Sequence, residues 1–256
     1  MKKFFLFLGV LFILLIQFSS CMKDDDRKPM YYFYDEPVVV FETGENPVIR
    51  NQSYLFKVPE LAENETLNKN DLLWSAFTVD LEDDPSTDLT KESKIYTARN
   101  FKYKTVDSTS VIIPANEEEF QAYMTDDYSD SIEFSVLFKY YIDNLLFLGF
   151  KQKDGLSQQY YTYELVLNPE LENSKYPTLY IRSKLVTPSP KLQVTDKDRR
   201  TVFAFDASDF AVYYKKNFAS NPDTRFNLKY KTGVDSDGKD IYKEFMSNPI
   251  RWEFNN

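Results

Sequence analysis

The chain of 256 residues contains no His and one Cys, Cys21, so carboxylates are its strong candidates for general acid and base work. Ser-His and Cys-His nucleophile pairs, His metal ligands, intrachain disulfides and thiolate zinc sites are all excluded by those counts. A glycosidase would need two carboxylates facing each other across a cleft. Asp80, Glu82, Asp83 and Asp84 lie close together, but they run into Pro85-Ser86-Thr87-Asp88 and read as a solvated loop with nothing to raise a pKa. Asp235-Ser236-Asp237-Gly238-Lys239-Asp240 has the composition of a calcium loop. An EF-hand needs Gly at its sixth position and Glu at its twelfth, whereas Gly is fourth here. A hairpin turn at Asp237-Gly238 between 225–232 and 240–246 accounts for the same residues, leaving at most a weak, irregular calcium site. Ser236 to Lys239 also fits S-x-x-K, but that motif works at the start of a helix and this segment reads as a turn. There is no G-x-S-x-G, and the 6 Gly of the chain leave no glycine-rich phosphate cradle. No catalytic, cofactor-binding or metal-binding residue is assigned, no cofactor is expected, and the chain reads as a non-enzyme.

Aromatic rings are the remaining chemistry. Sugars stack on exposed rings, and oligosaccharide-binding barrels are an established architecture. Tyr31-Tyr32-Phe33-Tyr34 and Tyr140-Tyr141 each put rings on both faces of a strand. One ring of each pair must then point away from its own core, and packing of that ring against the other domain or a loop is the commoner outcome. The only Trp residues are Trp74 and Trp252.

The elements that must carry these residues are strands. The chain is 17% aromatic, with 19 Tyr and 22 Phe, types that suit pleated, half-buried surfaces. Phe226, Leu228 and Tyr230 alternate with Arg225, Asn227, Lys229 and Lys231, which gives one buried and one wet face, as in antiparallel sheets. Ile132 to Tyr140, Tyr161 to Leu167 and Leu73 to Leu81 repeat the pattern, and 31–42, 48–58, 94–105, 109–114, 144–152, 178–187, 200–206 and 249–254 complete the expected strands. Turns are expected at Thr43 to Pro47 and at Asp154-Gly155. Two short helices are expected, one capped by Asn116 over Glu117 to Met124, the other over 207–216 with Ser208 as cap and Phe210, Val212 and Tyr213 on one side. The polar break at 115–131 divides the mature chain into 31–115 and 116–256.

Charge separates these parts. Residues 30–115 hold 15 acidic and 8 basic residues, whereas 126–256 hold 19 and 18. An acidic module followed by a nearly neutral one gives no basic face for phosphates, so nucleic acid is not an expected partner. The N-terminus is basic at Lys2 and Lys3, apolar from Phe4 to Ile16, and small at Ser19-Ser20-Cys21, too short an apolar run for an ordinary membrane span. It resembles a lipoprotein signal peptide over 1–20, which makes Cys21 the lipidation site and 21–30 a tether. Lys23-Asp24-Asp25-Asp26 resembles the surface-export signal of Bacteroidota lipoproteins. An outer-membrane, surface-exposed location is therefore expected, with the periplasmic face as the alternative. Asp107-Ser108-Thr109 and Asp130-Ser131-Ile132 resemble the Bacteroidota O-glycosylation triplet, which marks Ser108 and Ser131 as candidate acceptors.

The order of features continues through Ser53 to Leu61, Leu72 to Phe77, Asp143 to Phe150, Tyr163 to Leu167, Thr178 to Arg182, Val202 to Asp206 and Leu228 to Tyr230. Taken together this resembles the NigD-like lipoproteins of Bacteroidota. The resemblance implies an all-β chain, a small OB-like barrel over 31–115 followed by an antiparallel β-sandwich over 116–256. One departure is Ile181-Arg182-Ser183-Lys184, where members often read Leu-Arg-His-Asn. The family has no well-established activity, so the expected role is that of a non-catalytic, lipid-anchored envelope protein that binds a protein or glycan partner or serves in assembly. A fimbrillin-like adhesin subunit is the alternative, although Arg50, the only Arg near a trimming position, falls within an expected strand. A carboxylate-dependent glycan hydrolase comes last.

Overall fold

The structure is a computed structural model that describes residues 30–62, 64, 66–80, 95–125, 134–152, 160–169, 175–186, 200–218, 224–247 and 249–250. It is all-β, with thirteen strands and two short helices among the described residues. The first five strands are β1 (Met30–Glu42), β2 (Val48–Arg50), β3 (Leu55–Lys57), β4 (Leu72–Asp80) and β5 (Ile95–Thr105). They close into a barrel in the order β1-β2-β3-β5-β4, with β3 and β5 parallel and the other pairs antiparallel. This is the OB-like connectivity the resemblance implied. The expected strand over 48–58 is two strands, because Asn51 turns the chain: its Oδ1 accepts from the backbone N–H groups of Ser53 and Tyr54. Gly44, at φ +99, makes the turn between β1 and β2, where a side chain would be strained. The interior is filled by Val38, Val40, Ile49, Phe56, Leu73, Phe77, Val79 and Ala98. Phe33 stacks on Phe77 at 4.7 Å and meets Phe56 edge-on at 5.3 Å. Rings of this size bury large apolar areas and set the barrel's geometry.

The remaining strands are β6 (Ser108–Ser110), β7 (Phe134–Ile142), β8 (Leu145–Gln152), β9 (Tyr160–Leu167), β10 (Thr178–Val186), β11 (Arg200–Asp206), β12 (Asn227–Val234) and β13 (Asp240–Met246), with α1 (Glu117–Thr125) after β6 and α2 (Ser208–Asn217) after β11. They form two sheets, β13-β12-β10-β9 and β6-β11-β8-β7, around one core. Phe150 of one sheet stacks on Tyr163 of the other at 3.9 Å. The sandwich is not purely antiparallel, because β10 pairs in parallel with β12 and β11 in parallel with β6. Chain reversals between these partners pass through the opposite sheet or α2, so the returning strand arrives in the same direction. The change of partner also falls earlier than the expected break at 115/116. β5 is the last barrel strand, whereas β6 pairs with β11 and Val111 lies in the sandwich core.

Helix α1 begins where expected. Asn116 Oδ1 accepts from the Glu119 N–H at 2.9 Å, and the Glu119 carboxylate accepts from the Ala115 N–H at 2.7 Å. Helix α2 differs in detail. Ala207 is its cap residue, Asp206 Oδ1 accepts from the Ser208 N–H, and the buried side holds Phe210, Ala211 and Tyr214 while Val212 is exposed. Ser208 therefore does not cap it. The Asp237-Gly238 hairpin is as expected, with Asp235 Oδ1 accepting from the N–H groups of Asp237 and Lys239. The turn uses this carboxylate oxygen internally, and among the described residues no group of acidic or Cys side chains could hold a metal ion. Asp154-Gly155 and the expected strand residues 251–254 lie outside the described residues, and 249–250 are not strand.

Candidate functional site

The strand alternation that fills the barrel also builds an outer face across β1, β4 and β5. On β4, Leu73, Ser75, Phe77 and Val79 are buried, so Trp74, Ala76 and Thr78 point outward. On β5, Ala98 is buried and Phe101 and Tyr103 pack on the core, which leaves Arg99, Lys102 and Lys104 exposed. On β1, Phe33 packs inward, so Tyr32 and Tyr34 stand outside, 59% and 70% exposed. Their rings are 6.0 Å apart and within 4° of parallel.

Register aligns these side chains in rows. Tyr32 pairs with Thr78, which pairs with Arg99. Ala76 pairs with Lys102 and lies opposite a bulge formed by Tyr34 and Asp35, two residues against one. Pro37 pairs with Trp74, which pairs with Lys104. The aromatic column on β1 and the cationic column on β5 are thus separated by the small side chains Thr78 and Ala76, with Trp74 at one end. Two strand spacings set the columns about 10 Å apart. Among the described residues Arg99 and Lys102 have no ion-pair partner, and β5 carries three of the eight cations of residues 30–115.

The Trp74 end meets the sandwich. Asp35 sits at φ 56, a conformation Asp tolerates better than most residues, and its Oδ1 accepts from Trp74 Nε1 at 3.3 Å. Tyr140 of β7 meets the Trp74 ring edge-on at 6.2 Å. Glu36 accepts from Asn51 Nδ2 at 2.7 Å, and its backbone carbonyl accepts from Ser75 Oγ. Burial pushes the Glu36 carboxyl above its ordinary range, against the smaller opposing pull of the Asn51 hydrogen bond. Burial likewise raises the Tyr140 hydroxyl, helped by the nearby charges of Glu36 and Asp35. Arg50 forms an ion pair with Asp143 at the β7–β8 turn, and Val39, Leu72, Ile142, Phe147 and Ala204 close a small core between barrel and sandwich.

These positions answer the aromatic reading of the sequence in two ways. Tyr141 enters the sandwich core while Tyr140 packs on the other module, the commoner outcome. Tyr32 and Tyr34 remain exposed. Arg50 is the last residue of β2, as expected of a residue within a strand. Ser108 and Thr109 are exposed on the edge strand β6. Cys21, Lys23, Asp24, Asp25, Asp26, Ser131, Trp252, Glu82, Asp83, Asp84 and Asp88 lie outside the described residues. Sequence reasoning missed the cationic column, because Arg99, Lys102 and Lys104 are diluted in an acidic stretch and align only through the β4–β5 register. It also missed Arg182 as a buried group: this residue is 4% exposed, 3.2 Å from the Glu164 carboxylate and over the Tyr123 ring.

No family model and no curated protein matches the chain. Among solved structures it is similar to an uncharacterized protein from Parabacteroides merdae, 14% identical, with a TM-score of 0.58 over 84% of this chain and 99% of that one. It is also similar to a candidate lipoprotein from Bacteroides fragilis, 13% identical, with a TM-score of 0.51 over 88% of this chain and 100% of that one. At these identities the likeness is one of fold.

Proposed function

We propose that the chain is a non-catalytic, lipid-anchored protein of the cell envelope that acts by binding a partner, protein or glycan, on its barrel face. The observation that carries this reading is the pair of exposed, parallel rings of Tyr32 and Tyr34 on a barrel whose interior is already filled by its own side chains. A filled interior directs recognition to the outer surface. The sequence supports the anchor: the basic, apolar and small segments end at Cys21, and Lys23 to Asp26 follow as the surface-export signal. The resemblance to NigD-like lipoproteins and the fold shared with a candidate lipoprotein from Bacteroides fragilis support the same reading. Lipid-anchored proteins of this kind need no membrane-spanning helix, since an acylated Cys holds the chain at the bilayer.

The test has two arms. Metabolic labelling with a clickable fatty acid should mark the protein and should fail for Cys21→Ser, and protease treatment of intact cells should degrade it if it is displayed outside. Crosslinking in native envelopes, with a glycan array beside it, should capture a partner that is lost on replacing Tyr32 and Tyr34 by Ala. No lipid incorporation, or a partner indifferent to both tyrosines, overturns the reading.

A further inference from the structure

The face described above has a directional chemistry that narrows its ligand. One wall is aromatic, Tyr32 and Tyr34, and the opposite wall is cationic, Arg99 and Lys102, with Lys104 continuing that column. The strip between them is Thr78 and Ala76 of β4, side chains shorter than those of either column. Asn100, at φ 55, joins the Thr78 end: its Nδ2 donates to Thr78 Oγ1 at 3.2 Å and its backbone N–H donates to Glu60. Trp74 closes the other end, where Asp35 and Glu36 add two carboxylates.

We propose that this face holds a linear acidic oligosaccharide, one whose sugar rings carry carboxylates. This rests on the reading of the chain as a binding protein and names the ligand class. The flat apolar faces of sugar rings stack on Tyr32 and Tyr34. Ring carboxylates meet Arg99 and Lys102 on the β5 side, where charge-assisted hydrogen bonds add orientation. Sugar hydroxyls donate to Asp35 at the Trp74 end. Successive rows along the strands are about 7 Å apart, so a chain lying along β4 meets a ring and a cation repeatedly. A neutral glycan would leave the cationic column unused. A single-stranded nucleic acid would also stack, but it draws most of its affinity from a run of phosphate contacts, whereas β5 offers only the three cations Arg99, Lys102 and Lys104, and the oligothymidylate below tests it.

The detergent-solubilised full-length protein is titrated calorimetrically with an oligogalacturonate, with a neutral oligogalactoside of equal length and with an oligothymidylate. The oligogalacturonate should bind at least about tenfold more tightly than the neutral chain, and its affinity should fall as salt rises. Arg99→Gln with Lys102→Gln should bring the acidic ligand down to the neutral one. Tyr34→Ala, alone and with Tyr32→Ala, should weaken both sugars without moving the thermal midpoint. No binding of the oligogalacturonate, equal binding of the neutral chain, tighter binding of the oligothymidylate, or indifference to the Arg99 and Lys102 changes overturns the proposal. If the oligogalacturonate fails while lipid labelling and envelope crosslinks persist, only the ligand assignment falls. If those also fail, the binding role falls with it.

Discussion

At the scale of single residues, loss of water acts on half-buried Glu36 and buried Arg182 with different outcomes. Glu36 is held above its ordinary pKa of 4.5 by burial, so the fold favours its neutral form. The stabilisation from that neutral form is complete below the unfolded value and is lost as pH rises through the folded one. Glu36→Gln, which stays neutral and can still accept from Asn51, is therefore expected to raise the melting temperature at neutral pH. The gain should vanish below about pH 4. Melting curves at the two pH values check this, and a gain that persists in acid would refute it. Arg182 is lowered to about 10 by burial, partly offset by Tyr123, and so remains charged at neutral pH opposite Glu164. Removing one member of such a pair leaves the other without its partner. Arg182→Met should cost about 3 kcal/mol in urea unfolding, much of it recovered when Glu164→Gln is added. The outward positions of Tyr32 and Tyr34 were legible in the sequence because strand alternation acts locally. Glu36 and Arg182 were not, since their burial comes from Asn51 and from Tyr123 on α1, neighbours that only the tertiary fold supplies.

At the scale of elements, the short helix α1 depends on its cap and on one ring. Its nine residues are too few for a stable isolated helix. Asn116→Ala should cost about 1 kcal/mol through the lost Glu119 N–H acceptor. Phe120→Ala should cost about 3 kcal/mol, because Phe120 is buried and packs edge-on against Tyr180 at 5.3 Å. Chemical denaturation of both variants gives the comparison, and equal costs would mean that packing contributes less than the burial implies. The cap was readable because Asn116 sits directly before three Glu residues. The second cap was misplaced onto Ser208 because Asp206, two residues earlier, offers the same oxygen to the same turn. The parallel pairs β10–β12 and β6–β11 left no mark in the sequence, since alternation fixes which face of a strand is buried but not which strand lies beside it.

At the scale of the molecule, the barrel and the sandwich are joined by the small core of Val39, Leu72, Ile142, Phe147 and Ala204 and by the Arg50–Asp143 ion pair. Phe147 is fully buried there. The intact protein is expected to unfold in one calorimetric transition, and Phe147→Ala with Ile142→Ala to separate it into two. A single unchanged transition would mean that the junction is held elsewhere. The all-β class and the OB-like order of the barrel were accessible from strand patterns and resemblance. The exact change of module was not, because β6 reads as one more short strand, and only its partner, far along the chain, assigns it to the sandwich. That distance matters as the chain is synthesised N-terminus first. All the strands of the barrel are in place once β5 has emerged. β6 must instead wait for β11, which follows α1 and the four strands β7 to β10. Until then Ser108, Thr109 and Ser110 form an open strand edge beside a finished barrel. That interval is when a chaperone would meet this segment before its backbone is paired.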